Sequence, residues 1–284
     1  MQIKEFHTYF FNELKPLYNQ HEATVITSMI FESFAGATKS TIITHPQRII
    51  EKEILHKLKD ALLQLKAYKP VQYIIGVAWF YNLLFKVSPA VLVPRPETEE
   101  LVTTVIDFIK MNKKKTLLDI GTGSGCIPIS IKKNIAHINV SAVDISEAAL
   151  AVAKENAATH GTAITWHTMN FLDETNWKIL PEYDIIVSNP PYIPQNEKDK
   201  LDKNVTAYEP GLALFVPDDE PLLFYKKIAA FGKKHLAANG SIFMETHKDY
   251  AKEVAEYFCL HQYDAIIKKD FFEKERMVTA TRCR

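Results

Sequence analysis

The sequence predicts an α/β protein: a doubly wound, mostly parallel seven-stranded sheet behind a small N-terminal helical bundle. Three observations carry this. After residue 97, short apolar runs of strand character alternate with helix-period stretches, the order that builds a parallel sheet with helices on both faces. The first such run is followed at once by Gly121-Thr122-Gly123-Ser124-Gly125, a turn whose glycines let the backbone pass close to a ligand. Before residue 70 the apolar residues recur at helical spacing instead.

In order along the chain, Ile3, Phe6, Phe10, Leu14 and Leu17 form one helical stripe. Val25, Met29 and Ile30 form a second, and Ile50, Ile54, Leu58, Ala61, Leu62 and Leu65 a third. All are expected to be core packing, with Pro46 and Pro70 bracketing the third helix. Residues 1–70 are therefore expected to be one helical domain, and 71–95 a linker. Within that linker, 77–80 and 83–87 can pair as a hairpin around Tyr81-Asn82. Residues 96–284 are expected to form the sheet domain, with strands at 116–120, 137–143, 164–168, 183–187, 241–245, 265–269 and 277–281. The helix after the glycine cluster opens at Ser124 or Gly125 and runs through Ile127, Ile129 and Ile131. Pro128 is tolerated because it falls in the first turn.

Composition narrows the function. The 284 residues include 47% hydrophobic and 24% charged residues, ordinary for a globular protein. The formal net charge is zero, which counts against direct nucleic-acid binding through a basic surface. Ten histidines lack metal-ligand spacing, and the three cysteines, Cys126, Cys259 and Cys283, contain no C-x-x-C. Neither a disulfide framework nor a metal site is expected. The chain shows no leader-like start, and the apolar stretch near 74–85 is too short and interrupted to span a bilayer. A reducing cytoplasm is the expected compartment.

Two motifs carry chemistry. The apolar run ending in Asp119-Ile120 reads as a buried parallel strand, and the glycines after it are spaced G-x-G-x-G. The dinucleotide fingerprint needs G-x-G-x-x-G, but position 126 is Cys, and no phosphate-loop Gly-Lys-Ser/Thr is present. Asp144 ends the next strand, where a carboxylate can accept both hydroxyls of a ribose; a residue at a helix start, with Ser146 as cap, is the plainer alternative. Two carboxylates, Asp119 and Asp144, with no nearby Lys or Arg suit a cationic ligand better than a pyrophosphate. S-adenosylmethionine, with its sulfonium and ammonium, fits. Candidate residues for holding it are Asp119, Gly121, Thr122, Gly123, Ser124, Gly125, Asp144 and its neighbour Ile145.

The second motif, Asn189-Pro190-Pro191-Tyr192, follows the apolar run 183–187. The Asn189 side chain and the Pro190 carbonyl can each accept one N–H of an –NH2 group. Pro191 stiffens the chain, and Tyr192 can supply an aromatic face against the flat group. Prolines after a strand are otherwise plain turn residues, and only the methyl-donor site upstream weighs against that alternative.

The chain resembles the release factor N5-glutamine methyltransferase family, in the class I S-adenosylmethionine-dependent methyltransferase superfamily with its Rossmann-like fold. The resemblance runs through Pro70-Val71-Gln72-Tyr73-Ile74-Ile75-Gly76, Val93-Pro94-Arg95-Pro96-Glu97-Thr98-Glu99, the glycine loop, Asp144, Asn189 to Tyr192, Glu209-Pro210 with Ala213-Leu214, and Lys269-Asp270 with Arg276. Asn-Pro-Pro-Tyr alone is shared with adenine-N6 DNA methyltransferases; the Pro-Arg-Pro-Glu-Thr-Glu run is narrower. The resemblance implies methyl transfer from S-adenosylmethionine to the Gln of the Gly-Gly-Gln loop in class 1 peptide chain release factors. It implies that the helical bundle helps grip that substrate; a monomer is expected, although the sequence itself does not give the oligomeric state. It places Phe171 where the family often has a Trp on the adenine, with Asn170 beside it. Arg95 and Glu97 fall near the donor end of the site as substrate residues, and Glu209-Pro210 in a flap with the polar loop 194–203. The family often has a Gly soon after the glutamate of the fifth strand, where this chain has Thr246-His247. Methylation of a ribosomal-protein Gln, or of a base amino group, is the alternative acceptor chemistry. A scaffold without catalysis is expected to have lost Asn189 or a glycine.

Overall fold

A computed structural model describes residues 1–283. The chain begins with five helices: α1 (Ile3–Leu14), α2 (Gln20–Ala35), α3 (Lys39–Thr44), α4 (Lys52–Lys66) and α5 (Val71–Ile75). A hairpin follows, β1 (Val77–Phe80) and β2 (Leu83–Lys86). Next come α6 (Pro96–Asn112), β3 (Thr116–Ile120), α7 (Cys126–Asn134), β4 (Asn139–Asp144), α8 (Glu147–His160), β5 (Thr165–Thr168) and β6 (Tyr183–Ser188). The last part contains β7 (Ile193–Pro194), α9 (Lys203–Tyr208), β8 (Phe215–Val216), α10 (Leu223–His235), β9 (Leu236–Glu245), α11 (Ala251–Leu260), β10 (Tyr263–Lys269) and β11 (Glu275–Arg282). Contacts group these into two units: Met1–Val77 together with Asp202–Tyr208, and Ala78–Leu201 together with the chain from Glu209 onward.

The first unit is a helical bundle around Ile3, Phe6, Phe10, Leu14, Ile30, Phe31, Leu58 and Leu65, each at most 1% exposed. Asn19 caps α2 by accepting from the Glu22 amide at 2.9 Å, and Gly36 at φ +56° ends it. The Tyr208 hydroxyl, in the later segment, donates to the Ala67 carbonyl at 2.8 Å. Two expectations shift here. Val25 is 43% exposed, while Ala23 and Ile26 face the core. Pro46 does not start α4 but sits in a turn: Ile3 donates to the Arg48 carbonyl at 2.8 Å and Ile50 to the Met1 carbonyl at 3.1 Å, which holds 48–50 alongside the start of α1. Pro70 opens α5 instead of closing α4. Helices α3 and α5, of 6 and 5 residues, are too short to show a hydrophobic period.

The second unit contains the expected seven-stranded sheet, in the order β10-β11-β9-β6-β3-β4-β5. Strands β5, β4, β3, β6 and β9 are parallel, and β11 is antiparallel to β9 and β10. The central strands are buried on both faces, which is why they read as continuous apolar runs. Leu118, Ile120 and Ile186 pack with Tyr225, Ile228 and Val254 on one side. Leu117, Ile185 and Val187 pack with Val102, Ile106 and Ile129 on the other. Each such side chain contributes roughly 1.5–3 kcal/mol by leaving water. Strand β9 begins earlier than 241 because Asn239 takes φ +60° and the pairing jumps from Tyr183↔Leu236 to Ile185↔Ser241. That bulge absorbs a stretch that resembles a turn in sequence. Tyr81 and Asn82, at φ +49° and +58°, make the tight turn of the β1–β2 hairpin. No helix among the described residues is long and apolar enough to cross a membrane.

The glycines after β3 differ in what they tolerate. Gly121, Gly123 and Gly125 all have positive φ, +74°, +55° and +77°. A Cβ at Gly121 or Gly123 would meet nothing within 4 Å, whereas one at Gly125 would lie 2.9 Å from Ile129 Cδ1 and 3.1 Å from Ala153 Cβ. The left-handed conformation costs an alanine about 1–2 kcal/mol at any of the three. At Gly125 the unyielding Ala153 on α8 adds an overpacking cost of about 1–3 kcal/mol. Urea denaturation should therefore show Gly125→Ala to be clearly more destabilised than Gly121→Ala or Gly123→Ala.

Candidate active site

Strands β3 and β6 lie side by side, Leu117 opposite Ile185 through Ile120 opposite Ser188. Their carboxyl ends are tied by the Ser188 hydroxyl, which donates to the Ile120 carbonyl at 2.7 Å. Because β4 lies on the other side of β3, the chain leaves in opposite directions from adjacent strands, the position where α/β sheets open a ligand crevice. A cavity of about 290 Å³ occupies it. Its walls bring together Gly121, Thr122, Gly123, Ser124, Asp144, Ile145, Asn170, Phe171, Asn189, Pro190, Pro191 and Arg95.

The glycine loop is held by the backbone of the next strand: Gly121 and Thr122 both donate to the Val143 carbonyl, at 2.9 and 3.1 Å. Asp144 braces it, with Oδ2 accepting from the Gly123 amide at 2.8 Å and Oδ1 from the Ser146 amide at 2.9 Å. Ser146 does cap α8, so Asp144 serves the turn and lines the cavity as well. Each of its oxygens keeps a second lone pair. Phe171 both lines the cavity and packs in the core, tilted on Trp177 and edge-on to Phe231 with ring centroids 5.4 and 5.3 Å apart. The Asn170 side chain accepts from the Leu172 amide at 3.0 Å. Gly125 is the N-terminal residue of the α7 turn and packs inward.

Asp119 does not line the cavity but lies fully buried at the end of β3, and neither carboxylate oxygen meets a donor in hydrogen-bond geometry. Burial pushes its pKa up to about 7; the nearby Thr122 hydroxyl holds it back in part, and Asp144 adds to the rise. The buried hydroxyls of Thr122 and Ser124 are also without partners. Orphaned buried groups of this kind cost stability unless a ligand completes them. Together with the open space over Gly121 and Gly123, they fit a ligand that carries a positive group and presses against bare backbone. S-adenosylmethionine has those features.

On the β6 side, Asn189 Nδ2 donates to Thr98 Oγ1 at 3.1 Å. Thr98 Oγ1 in turn donates to Glu245 Oε2 at 2.7 Å. Tyr192 departs from its expected place. It is not in the cavity wall: its hydroxyl donates to Glu245 Oε1 at 3.2 Å and its ring packs against the core cluster. The Tyr192 ring thus braces the motif from the core side. Glu97 also stays out of the wall, because the first turn of α6 directs its neighbour Thr98 there instead. Arg95 precedes that helix and pairs with Glu209 Oε1 at 2.6 Å. The Glu209 side chain is 1% exposed, while that of Arg95 is 33% exposed, so only the carboxylate end of the pair is sheltered from solvent. Burial raises the Glu209 pKa and the Arg95 guanidinium opposes the rise. Pro210, Leu212 and Ala213 continue the wall. The loop 194–203 is not irregular throughout, since Gln195–Lys200 forms 3-10 turns.

Thr98 and Glu245 were not expected at the site. The available signals were a Thr inside the Pro-Arg-Pro-Glu-Thr-Glu run and a charged residue ending an apolar strand. Glu245 is 2% exposed, and burial raises its pKa against the hydrogen bonds from Thr98 and Tyr192. Cys126, also unexpected, lines the cavity as a buried thiol whose pKa burial pushes up to about 12. Among the described residues no cluster of three or more His, Cys, Asp or Glu is placed to hold a metal ion, and all three cysteines are free.

Comparison with known proteins agrees with this geometry. Residues 8–76 match the PrmC N-terminal domain model and residues 100–207 the methyltransferase small domain model. The release factor glutamine methyltransferase of Flavobacterium psychrophilum is 39% identical over 98% of this chain and 98% of its own length. That of Bacteroides thetaiotaomicron is 38% identical over 96% of this chain and 98% of its own. A solved methyltransferase from Pyrococcus furiosus shares the fold, with a TM-score of 0.50 and 14% identity over 80% of this chain and 98% of that one. With that identity sustained over nearly its whole length, the chain belongs to the release factor glutamine methyltransferase family.

Proposed function

We propose that this protein transfers a methyl group from S-adenosylmethionine to the side-chain amide nitrogen of the Gln in the Gly-Gly-Gln loop of class 1 peptide chain release factors, as a monomer in the cytoplasm. The observation that carries the site assignment is the state of Asn189. Its Nδ2 is committed to Thr98, which leaves Oδ1 as the free acceptor of a residue in the cavity wall. A carboxamide –NH2 has two N–H groups to be accepted, and Asn189 Oδ1 with the Pro190 carbonyl supplies two acceptors. Pro191 keeps them fixed.

The amide nitrogen is a poor nucleophile because its lone pair is delocalised into the carbonyl. No residue is assigned as a general base. Holding the nitrogen in line with the donor carbon is worth roughly 7–11 kcal/mol of barrier. Each acceptor aimed at the positive charge developing on nitrogen adds on the order of 3 kcal/mol, by analogy with an oxyanion-hole donor. The proton leaves after transfer, when the nitrogen has become acidic. When bound, S-adenosylmethionine supplies a methyl group on a cationic sulfur. Asp119, the loop Gly121 to Gly125, Asp144, Ile145, Asn170 and Phe171 are the residues that would hold it. Arg95 and Glu97 are assigned to the substrate side, Arg95 from the wall and Glu97 from the same helix start.

Labelled methyl transfer to purified release factors tests the proposal. The label should vanish when the loop Gln is replaced, and label that survives replacement would move the acceptor elsewhere. Asn189→Ala should lower kcat by on the order of 10²-fold or more, while the S-adenosylmethionine Kd from calorimetry changes little. Asp119 gives a pH signature. Its folded pKa of about 7 lies above the ordinary 3.8, so the native state holds the proton more tightly than the unfolded chain. Stability of the ligand-free protein should fall as pH rises from about 4 to 7. Asp119→Asn should flatten that fall in melts from pH 5 to 8, and should weaken S-adenosylmethionine binding.

A further inference from the structure

The hydrogen bonds behind Asn189 have a forced direction. Glu245 ends β9 with its side chain 2% exposed, and both of its carboxyl oxygens sit as hydrogen-bond acceptors. Thr98 Oγ1, at 2.7 Å from Oε2, must therefore spend its single proton on Glu245. What remains on Thr98 toward Asn189 is a lone pair. Asn189 can satisfy a lone pair only with its –NH2, so the amide is turned with Nδ2 to Thr98 at 3.1 Å. The acceptor, Oδ1, is then the end left for a substrate. An Asn amide turned the other way would present two donors to a substrate –NH2, which is itself all donor. The same contact would then repel the group it should hold.

The other parts of the assembly hold Glu245 in the accepting role. Tyr192, the last residue of the same tetrapeptide, donates to Oε1 at 3.2 Å. Tyr225 donates to the Glu245 backbone carbonyl at 3.1 Å and fixes the strand end. Both carboxyl oxygens thus receive a hydroxyl, so the buried group is satisfied by two donors. Thr98 lies in the first turn of α6, Glu245 at the end of β9 and Asn189 after β6, so three elements converge on one polar chain.

We infer that Thr98 and Glu245 are positioning residues that set the flip state of the Asn189 amide. This rests on the assignment of Asn189 as the substrate acceptor. Neither residue needs to touch the substrate amide. Thr98 passes on the polarity of a buried carboxylate, and Glu245 is its source. Valine at 98 keeps the volume and removes the hydroxyl, so both amide orientations become open to Asn189. Serine restores the hydroxyl. Glutamine at 245 offers one acceptor and one donor where the carboxylate offers two acceptors, so Thr98 or Tyr192 must reverse its hydroxyl.

The test measures steady-state methylation of a release factor together with the S-adenosylmethionine Kd and thermal melts, for the wild type, N189A, T98V, T98S, E245Q and T98V/E245Q. T98V should lower kcat on the order of 10- to 100-fold, the scale of a misoriented catalytic group, with KM and cofactor Kd largely unchanged. T98S should recover most of that loss. E245Q should lower kcat while its melting temperature changes little, since the side chain keeps its volume and its buried polar contacts. The double variant should lose little more than the worse single one, because the two act in one chain. Wild-type kcat in T98V beside an inactive N189A overturns the relay and leaves the site assignment standing. Additive losses in the double variant, or a T98S as slow as T98V, overturn it as well. An active N189A overturns the assignment of Asn189 and the relay with it.

Discussion

The parallel pairing of β3 with β6 is the constraint on which the site depends. Four register pairs, Leu117↔Ile185 through Ile120↔Ser188, bring the ends of the two strands level. The Ser188 hydroxyl on the Ile120 carbonyl then locks them. A slip by one residue would reverse the face of every side chain on the moved strand. It would also draw Asn189 away from the glycine loop. The apolar packing on both faces of these strands opposes such a slip, so the same residues that stabilise the sheet fix the distance between the two halves of the cavity.

Three buried carboxylates around this junction are handled in three ways. Glu209 has a cation, Arg95, at 2.6 Å. Glu245 has two hydroxyl donors and no ion-pair contact. Asp119 has neither. The order follows the jobs the residues are suited to. A paired Glu209 can anchor the return of the chain into the cavity wall at Pro210. A hydroxyl-solvated Glu245 can impose direction on a hydrogen-bond chain. An unpaired, buried Asp119 carries a desolvation cost in the folded protein.

The glycine loop and the proline motif solve opposite problems. Gly121 and Gly123 keep a surface bare, so that a ligand can approach backbone where any Cβ would intrude. Pro190 and Pro191 make a surface stiff, so that two oxygens keep their spacing. Gly125 belongs to a third category, since its missing side chain serves contact with Ile129 and Ala153 inside the fold. Three glycines that look alike in sequence are thus held by two different physical demands.

The sequence by itself determined the α/β class, the strands of the sheet, the glycine loop and the Asn-Pro-Pro-Tyr motif. All of these are local signals: apolar runs buried on both faces, positive φ at glycine, fixed φ at proline. Asn189, Pro190, Asp144 and Phe171, all named from the sequence, line one cavity, because strand ends in a parallel sheet share one edge. Only the tertiary structure turned Tyr192 away from the cavity, put Thr98 in the wall in place of Glu97, and joined Asn189, Thr98 and Glu245 into one chain. Those partners lie 91 and 147 residues apart in sequence, and no periodicity or propensity reaches across such separations. Hydrogen-bond direction is a property of the packed assembly, set by which buried group can only accept.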